Sequence, residues 1–494
     1  MQFSELLSKA GVEARERRGD AGVTEVVADS RQCRAGSCFV AVRGANEDAH
    51  KYIPSAAAAG CSAVVCEDPT LVPAGVAMAA VESSRIAVGR LAQAIRGWPS
   101  RSLVNVGITG TKGKSTTACL IRDILEAAGH RPALLGTITY ETGRRIADAD
   151  QTTPGPVALA GMMAEMVAAG STHLVMEASS HALDQDRMSG IDFRVGVFTN
   201  LSGDHQDYHG TREAYLAAKR RLFEGLGADS FAIINRDDSG NAGEAMASAA
   251  RGKVIWYGLS PAADLRARID SIDQNGTRFD LIWRPGGPEE RAEHATTPLI
   301  GRHNVFNCLA AAGACVALGV DLGVIAAALG RVRAVPGRLE RVHVEAPFEV
   351  FVDYAHTDDA LFNVLSAVRP MTKGRLICVF GCGGDRDRTK RPRMAAVAEK
   401  MADRVIVTSD NPRSEEPRAI IDEILKGFSE EGRCRVDVDA DRRAAIGRAI
   451  DMAAPGDIVV IAGKGHEKYQ IVGKQRNHFD DVEEAAAAMR RRRS

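Results

Sequence analysis

Residues 106–125, VGITGTKGKSTTACLIRDIL, decide the fold of this chain. A short apolar run leads into a loop rich in glycine and lysine, and a helical pattern follows at once. Glycines let backbone N–H groups turn inward around a polyphosphate, and a helix N-terminus adds the positive end of its dipole. The order of strand, loop and helix therefore predicts a nucleotide-binding α/β domain.

The loop is a short variant of the phosphate-binding pattern, GxxGKS, with Ile108 where the longer pattern has its first glycine. Lys114 is predicted to reach the β- and γ-phosphates of a nucleotide, and the hydroxyl of Ser115 or Thr116 to hold Mg²⁺. Lys112 adds a cation that points either at the phosphates or at solvent. The predicted nucleotide contacts of the loop are Gly110, Thr111, Lys112, Gly113, Lys114, Ser115 and Thr116.

Apolar, β-branched runs alternate with alanine-rich helical patterns along most of the chain. Examples of these runs are SAVVCE at 62–67, HLVMEA at 173–178, LICVFG at 376–381 and DIVVIAG at 457–463. This alternation predicts parallel sheets covered by helices. Residues 262–298 instead alternate polar and apolar side chains around Asn275-Gly276, which predicts a small antiparallel insertion.

The length of 494 residues favours about three domains. Boundaries are expected near GWPSRS at 97–102 and near AVPGRLE at 334–340. We therefore predict an α/β protein with domains at 1–102, 103–335 and 336–494. The central domain is expected to contain a P-loop ATPase-like parallel sheet with the antiparallel insertion, and the C-terminal domain to be Rossmann-like.

The composition argues against several classes of protein. The 63 basic and 64 acidic residues leave a net charge of −1, which is unsuited to gripping nucleic acid by charge. No stretch approaches the roughly 20 apolar residues of a membrane-spanning helix. The ten cysteines lie mostly in apolar strings without metal-site spacing, as in a reducing compartment. We expect a cytoplasmic protein with no nucleic-acid partner and no membrane insertion.

Further motifs, taken together, resemble those of the Mur ligases of bacterial cell-wall synthesis. They are ADSRQCRAGSCFVAVRG, TGTKGKST, DQTTPG, MEASSHALDQDR, FTNLSGDHQDYHG, AAKRRLF, GRHNVFN, VPGRLE, VDYAHT, GCGGDRDRTKRP, SDNPR and AGKGHE. The resemblance covers essentially the whole chain, and the combination is far more specific than the phosphate loop alone. It implies three α/β domains that bind, in chain order, a uridine nucleotide, ATP and an incoming amino acid.

The resemblance implies that ATP converts a carboxylate of UDP-MurNAc-L-Ala-D-Glu into an acyl phosphate, which an amine then attacks. By this resemblance the catalytic residues are Lys114, Glu177, His205 and Lys219, and Mg²⁺ is held by Ser115, Glu177, His205 and Lys219 as its carbamate, N6-carboxylysine. The residue types alone leave alternatives open. A carboxylate suits Mg²⁺, whereas His205 also fits a capping or core position. Lys219 lies in AYLAAKRRLF, a pattern typical of a solvated helix surface.

The resemblance also implies two sets of nucleotide contacts. Those for the UDP-sugar substrate are Ser30, Ala45, Asn46, Glu47, Thr152, Thr153, Ser179, Gln185 and Arg187. Those for adenosine are His303, Asn304, Asn307, Arg338 and Asp353. Asn and His also cap helices and turns, and Asp353 equally fits the start of a loop. For the side chain of Glu47, an anionic diphosphate is an unfavourable partner.

The segment SDNPRSEEP at 409–417 has the form found in Mur ligases that add meso-diaminopimelate. A guanidinium binds the second carboxylate of this amino acid bidentately and repels the ammonium of L-lysine. The alternative for Arg413 is an ion pair with Glu415 or Glu416. The implied amino-acid contacts are Arg386, Asp410, Asn411, Pro412, Arg413, Gly463 and Glu467, the last accepting the distal ammonium.

Three other functions stay open at this point. One is the same ligation with L-lysine, and another is a folylpolyglutamate synthetase-like ligase that shares the phosphate loop. The third is a nucleotide-binding module without catalysis, which would not need Glu177, His205 and Lys219 together with an amino-acid pocket. The implied reaction uses ATP as substrate and Mg²⁺ as cofactor.

Overall fold

The computed structural model describes residues 1–44, 47–203, 206–284, 286 and 289–493. Three predicted site residues, Ala45, Asn46 and His205, lie outside the described residues. Within the described ranges, no helix is both long enough and apolar enough to cross a membrane.

The helices are α1 (Phe3–Ala10), α2 (Ile53–Ala58), α3 (Ser84–Ile95), α4 (Lys114–Ala127), α5 (Pro156–Ala168), α6 (Ser180–Asp184), α7 (Gln206–His209), α8 (Arg212–Glu224), α9 (Ala242–Ala249), α10 (Arg302–Ala317), α11 (Leu322–Leu329), α12 (Asp358–Val368), α13 (Lys390–Met401), α14 (Pro417–Leu425), α15 (Glu430–Arg433), α16 (Arg442–Met452) and α17 (Asp481–Arg493). Polar side chains cap several of them. Ser83, Thr211, Thr357 and Asp441 accept hydrogen bonds from the first turns of α3, α8, α12 and α16.

The strands are β1 (Glu16–Arg18), β2 (Glu25–Val27), β3 (Ser37–Val40), β4 (Ala63–Cys66), β5 (Ala77–Ala80), β6 (Val104–Thr109), β7 (Pro132–Leu135), β8 (Thr139–Glu141), β9 (Ile146–Asp148), β10 (His173–Glu177), β11 (Val195–Phe198), β12 (Phe231–Asn235), β13 (Lys253–Gly258), β14 (Leu265–Asp273), β15 (Gly276–Trp283), β16 (Arg291–Thr297), β17 (Glu340–Arg341), β18 (Glu349–Asp353), β19 (Leu376–Phe380), β20 (Arg404–Val407), β21 (Val436–Val438), β22 (Ile458–Ala462), β23 (Tyr469–Val472) and β24 (Gln475–His478). The quoted apolar runs all form buried strands.

The chain divides into two compact units. The first contains Met1–Leu201, His209–Leu265 and Ala310–Val324, and the second contains Ser202–Tyr208, Arg266–Leu309 and Ile325–Ser494. The boundary expected near 97–102 falls inside the first unit, and the boundary expected near 334–340 falls inside the second. The three-domain division therefore stays a prediction.

The first unit contains two sheets. One has the order β1-β5-β4-β3-β2, in which only β1 runs antiparallel to its neighbour. The other has the order β13-β12-β11-β6-β10-β7-β8-β9 and is parallel from β13 to β7. Strand β6, which leads into the phosphate loop, therefore lies between β10 and β11. Ligands of such open sheets bind at the carboxyl ends of the strands, where the strand order reverses.

The second unit contains a sheet with the order β17-β18-β22-β19-β20-β21, parallel except for β17. Strands β15 and β16 pair antiparallel, which confirms the insertion predicted at 262–298. A separate antiparallel hairpin joins β23 to β24. The predicted α/β fold class, with parallel sheets and a small antiparallel insertion, is confirmed.

Helix α3 packs against α5 within the first unit, across the boundary expected near 97–102. The backbone of Gly89 in α3 comes so close to the chain after α6 that an added Cβ would lie 2.4 Å from the Ser189 carbonyl oxygen. The Oγ of Ser100 also donates to the Gly190 carbonyl oxygen at 3.2 Å. These contacts join the nucleotide-loop sheet to the sheet that precedes it.

Replacing Gly89 with alanine should lower the free energy of unfolding by about 1–3 kcal/mol, because the methyl group overpacks this contact. The control is Gly161→Ala in α5, where an added Cβ meets nothing closer than 3.8 Å. The control should be neutral or stabilising, since alanine favours helix more than glycine. Thermal unfolding measures both variants. A Gly89→Ala protein as stable as the wild type would contradict the close packing of α3.

Candidate active site

The phosphate loop follows β6 and is braced by the end of β11. Gly110 and Gly113 have φ angles of 146° and 84°, which confirms that glycine is needed there. Thr199 Oγ1 donates to the Lys112 carbonyl oxygen at 2.7 Å, and the Lys112 backbone N–H donates to Asn200 Oδ1 at 3.0 Å. Helix α4 begins at Lys114, so its N-terminus faces the loop.

Two lysine side chains meet at one carbonyl oxygen of this loop. Lys114 Nζ donates to Gly110 O at 3.0 Å, and Lys219 Nζ donates to the same oxygen at 2.8 Å. Lys219 is only 1% exposed, and its Nζ lies 4.2 Å from the ring centre of Tyr215. The alternative of a solvated surface lysine is therefore wrong: α8 directs Lys219 into the loop.

Glu177 ends β10, paired in register with Ile108 of β6, and is 1% exposed. Both of its carboxylate oxygens accept hydrogen bonds from Thr137, at 2.8 Å from the backbone N–H and 3.1 Å from Oγ1. An added Cβ on Gly136 would lie 2.5 Å from Glu177 Oε1, so the small residue makes room for the carboxylate. Glu177 is thus held rigidly at the edge of the sheet where the phosphate loop begins.

The residues expected to contact the sugar and peptide of the substrate lie together beside Glu177. Thr137 Oγ1 is 3.1 Å from Thr152 Oγ1, and Thr153 Oγ1 donates to the Glu177 carbonyl oxygen at 2.7 Å and to Ser179 Oγ at 3.2 Å.

Arg187 completes this group. Its guanidinium donates to the Gln185 side chain at 2.8 Å, to Gln151 Oε1 at 2.6 Å and to the Thr153 carbonyl oxygen at 3.0 Å. These three contacts fix the guanidinium beside Thr153, among the residues expected to bind the substrate.

After β2, Ser30 begins a short 3₁₀ helix, and the neighbouring Arg31 pairs with Asp29 at 2.7 Å. Glu47 is exposed, and its carboxylate accepts from Tyr52 OH at 2.5 Å and pairs with Lys51 at 2.8 Å. The side chain of Glu47 is thus paired within the protein, and its contact with the substrate stays a prediction.

Two groups of predicted adenosine contacts lie in the second unit. At the start of α10, Asn307 Nδ2 donates to Asn304 Oδ1 and Asn304 Nδ2 donates to the Ile300 carbonyl oxygen, both at 2.9 Å. Burial lowers the pKa of the neighbouring His303 to about 4, so this ring is neutral at pH 7.

Asp353, at the end of β18, accepts 2.7 Å hydrogen bonds from the Leu339 and Ala355 backbone N–H groups. The Arg338 guanidinium lies 4.8 Å from the ring centre of Tyr354. Asp353 therefore ends β18 and caps the loop that follows, and its second oxygen fixes the turn that carries Arg338, so the structural alternative stays open.

A second group of predicted site residues, those for the amino acid, lies after the carboxyl ends of β20 and β22, the two neighbours of β19. Asn411 Nδ2 donates to Glu467 Oε2 at 2.7 Å, and the Asn411 backbone N–H donates to Asp410 Oδ1 at 2.6 Å. Gly463 lies against Asp410: an added Cβ would come within 2.5 Å of Asp410 Oδ2. Burial raises the pKa of Glu467, and the nearby Asp410 raises it further.

Arg413 follows Pro412 with a φ of 52°, a strained left-handed conformation for a residue other than glycine. Its backbone pairs with β23: the Arg413 N–H donates to the Ile471 carbonyl oxygen at 3.1 Å, and the Gly473 N–H donates to the Arg413 carbonyl oxygen at 2.7 Å. Its Nη1 donates to the Gly384 carbonyl oxygen at 2.8 Å. The hairpin thus sets the position from which the guanidinium extends.

The alternative ion pair of Arg413 is wrong for Glu415. That carboxylate pairs instead with Arg388 at 3.0 Å and with the fully buried Arg391 at 2.8 Å. In the described part of the chain, Glu416 forms no ion pair with Arg413 either. Arg386 is exposed, and its Nη1 donates to the Asp385 carbonyl oxygen at 3.2 Å.

The donor set beside the phosphate loop fits a hard cation in part. The carboxylate of Glu177 and the buried hydroxyl of Ser115 are oxygen ligands that Mg²⁺ accepts. The amine of Lys219 is not such a ligand, but its carbamate would be. The remaining candidate ligand, His205, lies outside the described residues.

Thr137, Gln151 and Arg391 are positioned to serve these sites, yet none was predicted. Thr137 follows Gly136 at the carboxyl end of β7, beside β10, so the strand order offered a signal. Gln151 and Arg391 act by holding Arg187 and Glu415, contacts that no local pattern indicates.

Three family models match the chain: the Mur ligase family catalytic domain at residues 22–97, the Mur ligase middle domain at 108–315 and the Mur ligase glutamate ligase domain at 337–465. A UDP-N-acetylmuramoyl-L-alanyl-D-glutamate--2,6-diaminopimelate ligase of Geobacter metallireducens is 45% identical over 486 residues, which cover 94% of this chain and 93% of the relative. The chain belongs to the Mur ligase family.

Further Mur ligases of the same name are nearly as similar. The protein of Gloeobacter violaceus is 43% identical over 100% of this chain and 99% of its own length, and that of Bacillus cereus is 42% identical over 94% of each.

Solved Mur ligase structures agree with the fold. A UDP-N-acetylmuramoyl-L-alanyl-D-glutamate--2,6-diaminopimelate ligase is 33% identical over 99% of both chains, with a TM-score of 0.69. A folylpolyglutamate synthase of Mycobacterium tuberculosis, complexed with ADP and AMPPCP, is 22% identical over 82% of this chain and 94% of its own, with a TM-score of 0.63. This second likeness shows a shared fold alone.

Replacing Thr137 with valine should weaken Mg²⁺ binding by about tenfold or more, because Glu177 loses the hydroxyl that orients its Oε2. Isothermal titration of the folded variant with Mg²⁺ in the presence of a non-hydrolysable ATP analogue measures this. The matched control is Thr139→Val, whose hydroxyl contacts Glu141 rather than Glu177. Equal Mg²⁺ affinity in the two variants would mean that Thr137 does not support a metal ligand.

Proposed function

We propose that this Mur ligase joins meso-diaminopimelate to UDP-MurNAc-L-Ala-D-Glu, with ATP as the energy source, in peptidoglycan precursor synthesis in the cytoplasm. Its partners would be these three small molecules, without nucleic acid and without insertion into a membrane. One observation carries the choice of amino acid. Arg413 and Glu467, a cation and an anion, both contact Asn411 in a pocket at the carboxyl ends of parallel strands.

In the first half of the reaction, the D-glutamyl carboxylate attacks the γ-phosphorus of ATP, forming an acyl phosphate and releasing ADP. The backbone N–H groups of the loop and the start of α4 bind the phosphates, and Lys114 is placed to exchange its loop carbonyls for phosphate oxygens. Arg187 orients the anionic substrate beside Glu177. Positioning of the two reactants and charge stabilisation account for the rate.

Mg²⁺ would be held by Ser115 and Glu177, with His205 and carbamylated Lys219 as the proposed further ligands. When bound, the ion neutralises charge on the transferring phosphoryl group. The chain itself prepares this place: Thr137 orients the Glu177 carboxylate, and the fold buries Ser115 at the mouth of the loop.

The meeting of Lys114 and Lys219 at one oxygen supports carbamylation. Two ammonium groups on a single carbonyl oxygen repel each other, and the burial of Lys219 strengthens this repulsion. The neutral amine of Lys219 is the form that attacks carbon dioxide, giving a carbamate and a released proton. The resulting anion would then attract Lys114 rather than repel it.

In the second half, the amine at one end of diaminopimelate attacks the acyl phosphate, loses a proton and expels inorganic phosphate through a tetrahedral intermediate. The other end carries an ammonium and a carboxylate. Glu467 accepts the ammonium, and Arg413 binds the carboxylate, so the pocket selects an amino acid with both groups.

Phosphate release with UDP-MurNAc-L-Ala-D-Glu, Mg²⁺-ATP and one candidate amino acid at a time tests the proposal. Stimulation by meso-diaminopimelate is the expected result. Phosphate release that only L-lysine stimulates would mean that the enzyme adds L-lysine and not meso-diaminopimelate. Release stimulated by glutamate with a folate would favour the folylpolyglutamate activity, and no release at all would favour a nucleotide-binding module without catalysis.

A Lys219→Ala enzyme should lose most activity and regain part of it with added short carboxylates, which replace the carbamate. With ¹³C-labelled bicarbonate, the wild type should give a carbamate carbon signal by NMR that Lys219→Ala lacks. Lys253→Ala, at an exposed position in β13, is the control and should behave as wild type. Full activity in Lys219→Ala would overturn this role.

An Arg413→Ala enzyme should lose transition-state stabilisation with meso-diaminopimelate worth about 2–5 kcal/mol, as when one partner of a buried charge pair is removed. Steady-state kinetics with each substrate varied in turn measures the loss. The decrease in kcat/KM should be seen when diaminopimelate is the varied substrate. Arg418→Ala, at an exposed position in α14, is the control and should change kcat/KM little. Unchanged kcat/KM in Arg413→Ala would contradict the assignment.

A further inference from the structure

Lys464 is a fully buried cation in the amino-acid pocket, at 0% exposure. It lies between the predicted contacts Gly463 and Glu467, in the loop that follows β22. Burying an ammonium is costly unless it is paired and hydrogen-bonded, so its partners indicate what it holds in place.

The Nζ of Lys464 has two partners from the pocket. It donates to Asn411 Oδ1 at 3.2 Å and to Glu467 Oε2 at 3.3 Å. Asn411 closes the triangle, because its Nδ2 donates to the same Glu467 oxygen at 2.7 Å. The Ile471 backbone N–H also donates to Asn411 Oδ1, at 3.0 Å, which ties the triangle to hairpin β23–β24.

This arrangement leaves the two oxygens of Glu467 unequal. Oε2 accepts from both Asn411 and Lys464, whereas within the described ranges no hydrogen bond reaches Oε1. An oxygen with open acceptor capacity beside an anchored one is the geometry that a substrate ammonium requires.

The charges around Glu467 also favour a cation beside its carboxylate. Asp410 is buried near Glu467, and the two carboxylates repel each other. Burial and Asp410 raise the pKa of Glu467, while Lys464 and Asn411 act in the opposite direction. Lys464 therefore offsets part of the negative charge that the two carboxylates bring together.

We propose that Lys464 is a positioning residue for amino-acid selection, which anchors Glu467 Oε2 together with Asn411 so that Oε1 accepts the distal ammonium of the incoming amino acid. This role rests on the proposed function. It is distinct from substrate contact, because Lys464 acts through Glu467 and Asn411.

The test compares Lys464→Met, which keeps the length of the side chain and removes its charge, with the wild type. The KM for meso-diaminopimelate should rise about ten- to hundredfold, as for the loss of a hydrogen bond to a charged group. The KM values for ATP and UDP-MurNAc-L-Ala-D-Glu should stay within about twofold, on the additivity expected for distant sites. Lys426→Met, at an exposed position directly after α14, is the matched control.

A double-mutant cycle separates positioning from a general structural role. In a Glu467→Gln background, Lys464→Met should raise the KM for diaminopimelate much less than in the wild type, because the group through which it acts is already neutral. Equal effects in both backgrounds, or an unchanged KM in Lys464→Met, would overturn the proposal. Thermal unfolding checks each variant, and Lys464→Gln replaces Lys464→Met if the latter does not fold.

The amino-acid preference of the wild-type enzyme tests the proposed function separately from the role of Lys464. A wild-type enzyme that ligates L-lysine instead of meso-diaminopimelate would overturn the proposed function. The same variants, assayed with L-lysine, would then decide the role of Lys464, since that amino acid also carries a distal ammonium.

Discussion

The carbonyl oxygen of Gly110 accepts hydrogen bonds from Lys114 at the start of α4 and from Lys219 in the middle of α8. Through these bonds one backbone atom joins the phosphate loop to two helices. Lys219 is only 1% exposed, so moving its Nζ away from this oxygen would require the core around α8 to repack. The position of α8, and with it Tyr215 beside Thr111, therefore depends on the chemistry of one buried amine.

The parallel sheets explain why the remaining groups gather where they do. Glu177 ends β10 beside β6, and Asp410 and Gly463 follow β20 and β22 on either side of β19. Strands that run in one direction deliver their following loops to one edge, so residues far apart in sequence become neighbours. Rigid scaffolds of this kind let loops carry the variable chemistry.

Much of this was predictable from the sequence because it depends on local patterns. The strands at 104–109 and 376–380, the insertion around Asn275 and the phosphate loop all follow from apolar runs and glycine positions. The burial of Lys219 was not predictable from its residue pattern, because that pattern is typical of a helix surface and only the tertiary packing buries the side chain. The roles of Thr137, Lys464 and Arg391 were not predictable for a similar reason. Each residue acts on another side chain through a tertiary contact, and such contacts produce no recognisable spacing in the sequence. The resemblance to the Mur ligases supplied roles for residues whose types alone left alternatives open.

The strained backbone of Arg413 bears on how amino-acid selectivity can be exchanged within the family. A left-handed arginine costs about 1–3 kcal/mol, and here two backbone hydrogen bonds from hairpin β23–β24 stabilise it. The four residues at 410–413 are thus one half of a structural module, and residues 469–478 are the other half. Transfer of residues 410–413 alone into a related ligase would therefore introduce the guanidinium without the hairpin backbone that fixes its position.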